Sequence, residues 1–350
     1  MDYETFVRRY IKNGIRLIKT RGLKRSSIIT YKLLKTKLLG YPLEITIEPA
    51  GICNLKCPMC LLNKSKSDIE RQKKVLKFKD YKKIIDDIKD FIVHISLYYA
   101  GEPLLNPDIF KMIEYADKNN IDTLIATNAT LLNKENRKKL LSCGLQRVIL
   151  SIDGATKKTY KKYRVGADFD KVIESIRKLV KERGNRRLPV IALQTIATKN
   201  TLKEFKKYKK LAIDLRVDEA YVTRMYIDQY KQKVPKNVIK DVIIGGKWSR
   251  YKTIKNGRLI PKTYVKCCPS LHHTHILSDG TVLHCCYDTR GEYTFGNAIK
   301  NNFKDIWNSK KYRHFRNKLA KPMILPLCKE SCTPAESHYI FLYKKYPEER

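Results

Sequence analysis

The sequence predicts an α/β protein built on a parallel sheet, with a smaller cysteine-rich region after it. Three observations predict this. Short apolar runs alternate with charged amphipathic stretches from Leu43 onward, the alternation is lost after Ile243, and six of the ten cysteines fall between Cys267 and Cys332. Strand–helix repeats of this kind give parallel sheets, because each helix carries the chain back to start the next strand in the same direction. A chain of 350 residues has room for one large core and a smaller one.

Three regions follow from the pattern. Residues 1–42 form a basic amphipathic segment, with Val7, Ile11, Ile15 and Ile18 at helical spacing among bases from Arg8 to Lys37. Such a segment suits either packing on the outside of the main domain or lying on an anionic membrane surface. Residues 43–243 carry the repeat. Strands are expected at Leu43 to Glu48, His94 to Tyr99, Thr123 to Thr127, Arg147 to Ile152, Val190 to Thr195 and Ala220 to Tyr226. Helices between them are marked by Ile109, Met112, Ile113 and Ala116, and by Val172, Ile173, Ile176, Leu179 and Val180, which recur at three and four residues. Residues 244–350 form the third region. In it Ile276 to Leu283 reads as a hairpin turning at Asp279 and Gly280, since Asp-Gly supplies the positive φ of a tight turn.

Composition bounds the function classes. No run approaches the roughly 20 apolar residues that span a bilayer, and Met1 to Tyr10 lack the apolar stretch of a secretory signal, so a cytoplasmic protein is expected. Ten cysteines are too few for a disulfide scaffold and too many for simple core filling. Lysine and arginine outnumber acids 73 to 35, a balance of +38 that raises the question of a nucleic-acid partner. The bases are spread over every segment instead of one patch, which is the weaker pattern for such a partner.

Cys53, Cys57 and Cys60 stand directly after the first strand. Three closely spaced thiolates bind soft metals, and three can hold a four-iron cluster while leaving one iron open to a cofactor. A structural zinc, needing a fourth ligand, is the competing reading. With this spacing and place, the loop resembles that of the radical S-adenosylmethionine superfamily, whose fold is a partial (β/α)6 TIM barrel of parallel strands. Further motifs run in the family's order: Ala100, Gly101, Glu102 and Pro103 after the second strand, Thr127 to Thr130 after the third, and Ser151 to Gly154 with Tyr160, Tyr163 and Arg164 after the fourth. The resemblance implies that Gly101 and Glu102 receive the methionine amino group of S-adenosylmethionine, with Thr127 and Asn128 close by. It further implies Ser151 and Asp153 near the ribose and Arg164 near the methionine carboxylate. Met59 stands where the family usually has an aromatic residue near the adenine, and Ala129 replaces a glycine. Gln194, on the fifth strand, is expected on the same rim.

The C-terminal region resembles the SPASM or twitch extensions of that superfamily. The residues that carry the likeness are Cys268, the Asp279–Gly280 hairpin, Cys285, then Gly296–Asn297, Ile306–Trp307, and finally Cys328 and Cys332. One auxiliary four-iron cluster held by Cys268, Cys285, Cys328 and Cys332 is implied, with Cys267 or Cys286 able to replace its neighbour; a zinc ribbon on the same thiols competes. Cys143 reads as a core residue, and His272, His273, His275 and His284 fit hairpin alternation as well as ligation.

The expectation is therefore an oxidoreductase that cleaves S-adenosylmethionine reductively to a 5′-deoxyadenosyl radical and takes hydrogen from a substrate carbon. The auxiliary cluster would accept an electron, so that a peptide or a sugar-like small molecule is oxidised or crosslinked. A donor such as ferredoxin or flavodoxin is implied. The alternative is a zinc-dependent nucleic-acid-binding protein.

Overall fold

The computed structural model describes residues 14–60, 74–227, 229, 234, 236–262, 273–288, 290–319, 325, 326, 328 and 339–345. All six expected strands are present: β1 (Glu44–Ile47), β2 (His94–Ser96), β3 (Asp122–Thr127), β4 (Arg147–Ser151), β5 (Val190–Ala197) and β6 (Glu219–Arg224). They pair in parallel and in sequence order. That order follows from short right-handed crossovers, each helix returning the chain to the next position along the sheet.

The two helices marked by apolar spacing, around Ile109 to Ala116 and Val172 to Val180, both form, while Val7 and Ile11 lie outside the described residues. Helix α1 (Gly14–Leu39), kinked at Gly22, precedes the sheet. Helices α2 (Phe78–Ile88) and α3 (Ile109–Lys118) bury Ile84, Ile85 and Ile88, and Met112, Ile113 and Ala116, against β1 to β3. Helices α4 (Lys134–Ser142), α5 (Lys157–Tyr163) and α6 (Phe169–Arg183) begin at Asn133, Thr156 and Asp168. Each of these three side chains accepts a backbone N–H of the first turn that has no partner within the helix. Helices α7 (Lys199–Lys203) and α8 (Phe205–Asp214) complete the crossover to β6.

Past β6, helix α9 (Lys236–Asp241) leads to a two-stranded ribbon of β7 (Tyr251–Lys255) and β8 (Arg258–Pro261). The chain then returns to the main sheet. Strand β9 (His273–Ile276) pairs in parallel with β1 and antiparallel with β10 (Thr281–Leu283), which pairs with β11 (Thr294–Asn297). The hairpin turns where expected: Gly280 has φ +88°, and Asp279 Oδ1 accepts the Thr281 N–H at 2.9 Å. Helices α10 (Phe303–Asn308) and α11 (Lys310–Leu319) follow, and β12 (Tyr339–Lys344) pairs antiparallel with β6.

The ten-stranded sheet thus runs β11-β10-β9-β1-β2-β3-β4-β5-β6-β12. The end of the strand–helix repeat at Ile243 is not the end of the sheet. Ile276, Val282, Phe303, Ile306 and Trp307 share one hydrophobic cluster with the barrel's Ile45, Ile88 and Phe91. Trp307 also donates its indole N–H to the Gly40 carbonyl at 2.9 Å.

Candidate active site

Alternation along the strands sends one side-chain set inward. His94, Ser96 and Tyr98, then Arg147, Ile149 and Ser151, then Glu219, Tyr221 and Thr223 line a cavity of about 850 Å³ enclosed by the curved sheet. The loops at the carboxyl ends of the strands, where barrel enzymes place their chemistry, help to line it. Cys53, Cys57, Cys60, Met59, Gly101, Glu102, Thr127, Asn128, Ser151, Asp153, Arg164 and Gln194 all line it. Sequence positions spread over more than 140 residues therefore meet in one space.

The cysteine loop is held by its neighbours. The Glu102 N–H donates to the Ile52 carbonyl at 2.8 Å, which fixes the residue before Cys53 against the loop after β2. This approach requires glycine at 101, because a Cβ there would lie 1.8 Å from the Ala50 oxygen and 2.7 Å from that of Ile52. Asn128 reaches across from β3: its side-chain amide donates to Asn54 Oδ1 at 2.9 Å and to Cys53 Sγ at 3.8 Å. All three thiols are partly exposed to the cavity. Burial pushes the Cys53 thiol up, and pushes that of Cys57 to about 11, with the Arg164 charge pulling the other way.

Glu102 is 2 % exposed and accepts from three protein donors. Its Oε1 accepts the Thr127 hydroxyl at 2.6 Å and the Leu104 N–H at 3.1 Å; Oε2 accepts the Asn128 N–H at 2.8 Å. Burial raises its carboxyl above the usual range while these donors favour the ionised form. A carboxylate has about four acceptor positions, so one is left for a further donor. Ala129, the glycine substitute, takes φ +63° and is buried.

On the opposite wall Arg164 Nε lies 2.8 Å from Asp153 Oδ2, and Asp153 Oδ1 accepts the Ile196 N–H at 2.8 Å. Burial disfavours the Arg164 charge, yet Asp153 and Cys57 more than restore it. The two residues that the resemblance assigns separately to ribose and carboxylate thus form an ion pair, with Asp153 buried and Arg164 largely so. Ser151 and Gln194 are register partners on β4 and β5, and both face inward. Met59 also touches the cluster formed by Met225, Ile227 and Tyr251.

Burial pushes the Cys328 thiol up, and Cys285 adds to that shift. Cys267, Cys268, Cys332 and His272 lie outside the described residues. Cys286 lines the main cavity, and its carbonyl accepts the Tyr99 hydroxyl at 3.1 Å. Cys143 is buried in the core, its thiol pushed up to about 12 by that burial. His275 and His284 are buried and held neutral, His284 beside the Tyr312 hydroxyl at 3.3 Å.

Sequence reading missed the floor and the far rim. The floor holds Arg147 and Glu219, paired at 2.5 Å, and Glu44 between His94 and His273, each 3.8 Å away. The rim includes Arg250, which donates to the Tyr287 hydroxyl at 3.0 Å. Polar residues at alternate strand positions were the available signal, because a strand buried on both faces normally reads as an apolar run.

Comparison with known proteins agrees with this geometry. The model of the Radical SAM superfamily matches residues 47–212, and that of an iron-sulfur cluster-binding domain, SPASM, matches residues 267–333. The chain is 26 % identical over 314 residues to the tungsten-containing aldehyde ferredoxin oxidoreductase cofactor-modifying protein of Pyrococcus furiosus, covering 81 % of this chain and 85 % of that one. Its fold resembles Streptococcus suis SuiB bound to S-adenosylmethionine, with TM-score 0.60 and 20 % identity over 86 % of this chain and 76 % of that one. SuiB bound to its precursor peptide SuiA gives TM-score 0.61 and 19 % identity, covering 86 % and 74 %. The radical SAM domain binds a four-iron cluster and S-adenosylmethionine, and the second domain is an iron-sulfur domain that fits a further cluster. The zinc-dependent nucleic-acid reading is not favoured. Residues 47–212 of this chain are thus a radical S-adenosylmethionine superfamily domain, and residues 267–333 a SPASM iron-sulfur cluster-binding domain.

Proposed function

We propose that the protein oxidises a small polar molecule or a peptide segment held in the central cavity, by removing hydrogen from one of its carbons. The observation that carries this reading is that both cysteine regions open onto one cavity, with Cys53, Cys57 and Cys60 on one side and Cys286 and Tyr287 on the other. The chemistry that the cluster and S-adenosylmethionine supply when bound is one-electron cleavage of the sulfonium, giving methionine and a deoxyadenosyl radical that takes the hydrogen.

The chain's own residues position and shield. Cys53, Cys57 and Cys60 would hold the first cluster, a soft donor set that leaves one iron open. The spare acceptor position of Glu102 suits the methionine ammonium. Arg164, kept charged by Asp153, suits the methionine carboxylate, and Ser151, Gln194 and Met59 face the nucleoside side. Cys285 and Cys328, with Cys268 and Cys332, would hold the auxiliary cluster and take the electron that the substrate radical must lose. The cavity floor of Glu44, His94, Arg147 and Glu219 favours a substrate with hydroxyl, amino or amide groups over an apolar one. An external donor of the ferredoxin or flavodoxin type would restore the first cluster.

The test uses anaerobically reconstituted protein with a strong reductant. It should release methionine and 5′-deoxyadenosine slowly without substrate. A Cys328→Ala, Cys332→Ala variant should still release them, yet yield no oxidised product once the substrate is known. S-adenosylhomocysteine as the main product would overturn the reading in favour of methyl transfer.

A further inference from the structure

Helix α1 carries two apolar faces, and the fold uses one of them. Toward the barrel it buries Ile29 and Leu33 against Leu43 and Val93. On the same face Lys32 Nζ donates to the Asn119 carbonyl at 2.8 Å, the Thr36 hydroxyl to that of Phe91 at 2.6 Å, and Arg25 pairs with Asp117 and Asp122. At about 100° per residue, Leu23, Ser27, Tyr31, Leu34 and Leu38 form a second row on the opposite side of the helix. Leu23, Tyr31, Leu34 and Leu38 are 69 %, 63 %, 59 % and 85 % exposed. A helix that only packs on its own domain needs no such row.

The flanks carry one sign of charge. By the same rotation Lys24 and Lys35 border the row on one side and Lys37 on the other. From Thr5 to Leu43 the chain has no acid, while Arg8, Arg9, Lys12, Arg16, Lys19, Arg21, Lys24, Arg25, Lys32, Lys35 and Lys37 are basic. An apolar row with lysines on both edges fits an anionic lipid surface: leucines enter the acyl boundary, the tyrosine stays at headgroup level, and lysine stems reach back to the phosphates. A single row of five side chains is far short of the roughly 20 residues a side that a stable protein–protein interface uses.

We propose that α1 docks the protein on an anionic bilayer. The helix lies at the strands' amino ends, since the carbonyls and acids that its polar side chains grip belong to the segments entering β2 and β3. The cysteine loop leaves β1 at the other end. Docking through α1 therefore points the cysteine loop away from the lipid, toward substrate and electron donor in solution.

The experiment is co-sedimentation of the full reconstituted chain with vesicles of phosphatidylcholine and phosphatidylglycerol at about three to one, against vesicles of phosphatidylcholine alone. Binding should occur only with the anionic vesicles and should be lost between about 0.1 M and about 0.5 M salt. A Leu34→Ser, Leu38→Ser variant should bind roughly tenfold more weakly with an unchanged circular-dichroism melt, because both side chains are exposed in the fold. Lys24→Glu with Lys35→Glu should weaken binding by a similar factor. No binding to anionic vesicles, equal binding to both kinds, or a serine variant that binds like wild type would overturn the proposal. A dimer lost in the serine variant, in protein that ignores vesicles, would assign the row to a second copy and overturn it as well.

Discussion

Glu102 shows how much one side chain decides here. Its two oxygens accept from Thr127, Leu104 and Asn128, so it ties the loop after β2 to the start of the loop after β3. Glutamine has the same shape but an amide donor. In either orientation its NH2 group would meet a backbone N–H, that of Leu104 or that of Asn128. Glu102→Gln should therefore cost about 2 kcal/mol of folding stability in the protein without its clusters, measured by chemical denaturation. An unchanged midpoint would mean that these bonds are not made. Ala129 is the counter-case at the same scale. Its φ of +63° costs a non-glycine residue about 1 kcal/mol, and its methyl group, buried in the core, returns a similar amount. The departure from the family's glycine is thus tolerated by packing.

Between elements, the decisive contact is the crossing of the two loops that leave β1 and β2. Gly101→Ala would drive a Cβ into the carbonyl oxygens of Ala50 and Ile52, and the 2.8 Å bond from Glu102 to Ile52 prevents the loops from separating. The expected cost is about 3 kcal/mol, with the cysteine loop displaced and iron retention at the first site reduced. Denaturation and iron assay check both. The other junction is β9 on β1. His275, on β9, is kept neutral far below the ordinary histidine range by burial, with His273 and His284 adding to the effect. The unfolded chain then binds one more proton than the folded one below about pH 6.5, so stability falls as pH falls through that value. Going from about pH 7.5 to about pH 5.5, His275→Leu should lose about 1.4 kcal/mol less than wild type does. An identical pH dependence for the two proteins would refute the assignment.

Across the whole molecule, the two cysteine regions share a cavity but no thiol. Reconstituted protein should hold about eight irons, and replacing Cys53, Cys57 and Cys60 by alanine should leave about four. Loss of all iron in that variant would mean that the C-terminal site cannot form by itself. The extension is nonetheless part of the barrel: β9 extends its sheet, Trp307 bonds to Gly40, and Asp87 of α2 accepts the Asn302 side-chain amide and the Phe303 N–H at the start of α10. The sequence landmarks of the extension have packing roles here. Asn297 donates to the Asp279 carbonyl and so holds the hairpin turn, and Ile306 and Trp307 fill the shared core.

What the sequence determined by itself was local. Short apolar runs marked the six strands, apolar spacing of three and four residues marked the helices α3 and α6, Asp279–Gly280 marked the hairpin, and three cysteines after β1 marked the first site. Each of these signals lies within a few residues of chain. Tertiary structure decided the pairing of Asp153 with Arg164, the three donors on Glu102, the joining of β9 to β1, and the turning of Cys286 toward the main cavity. All four depend on groups distant along the chain or on which way a side chain faces. Alternation along a strand defines two faces, but only the closing of the sheet around a cavity selects the inner one.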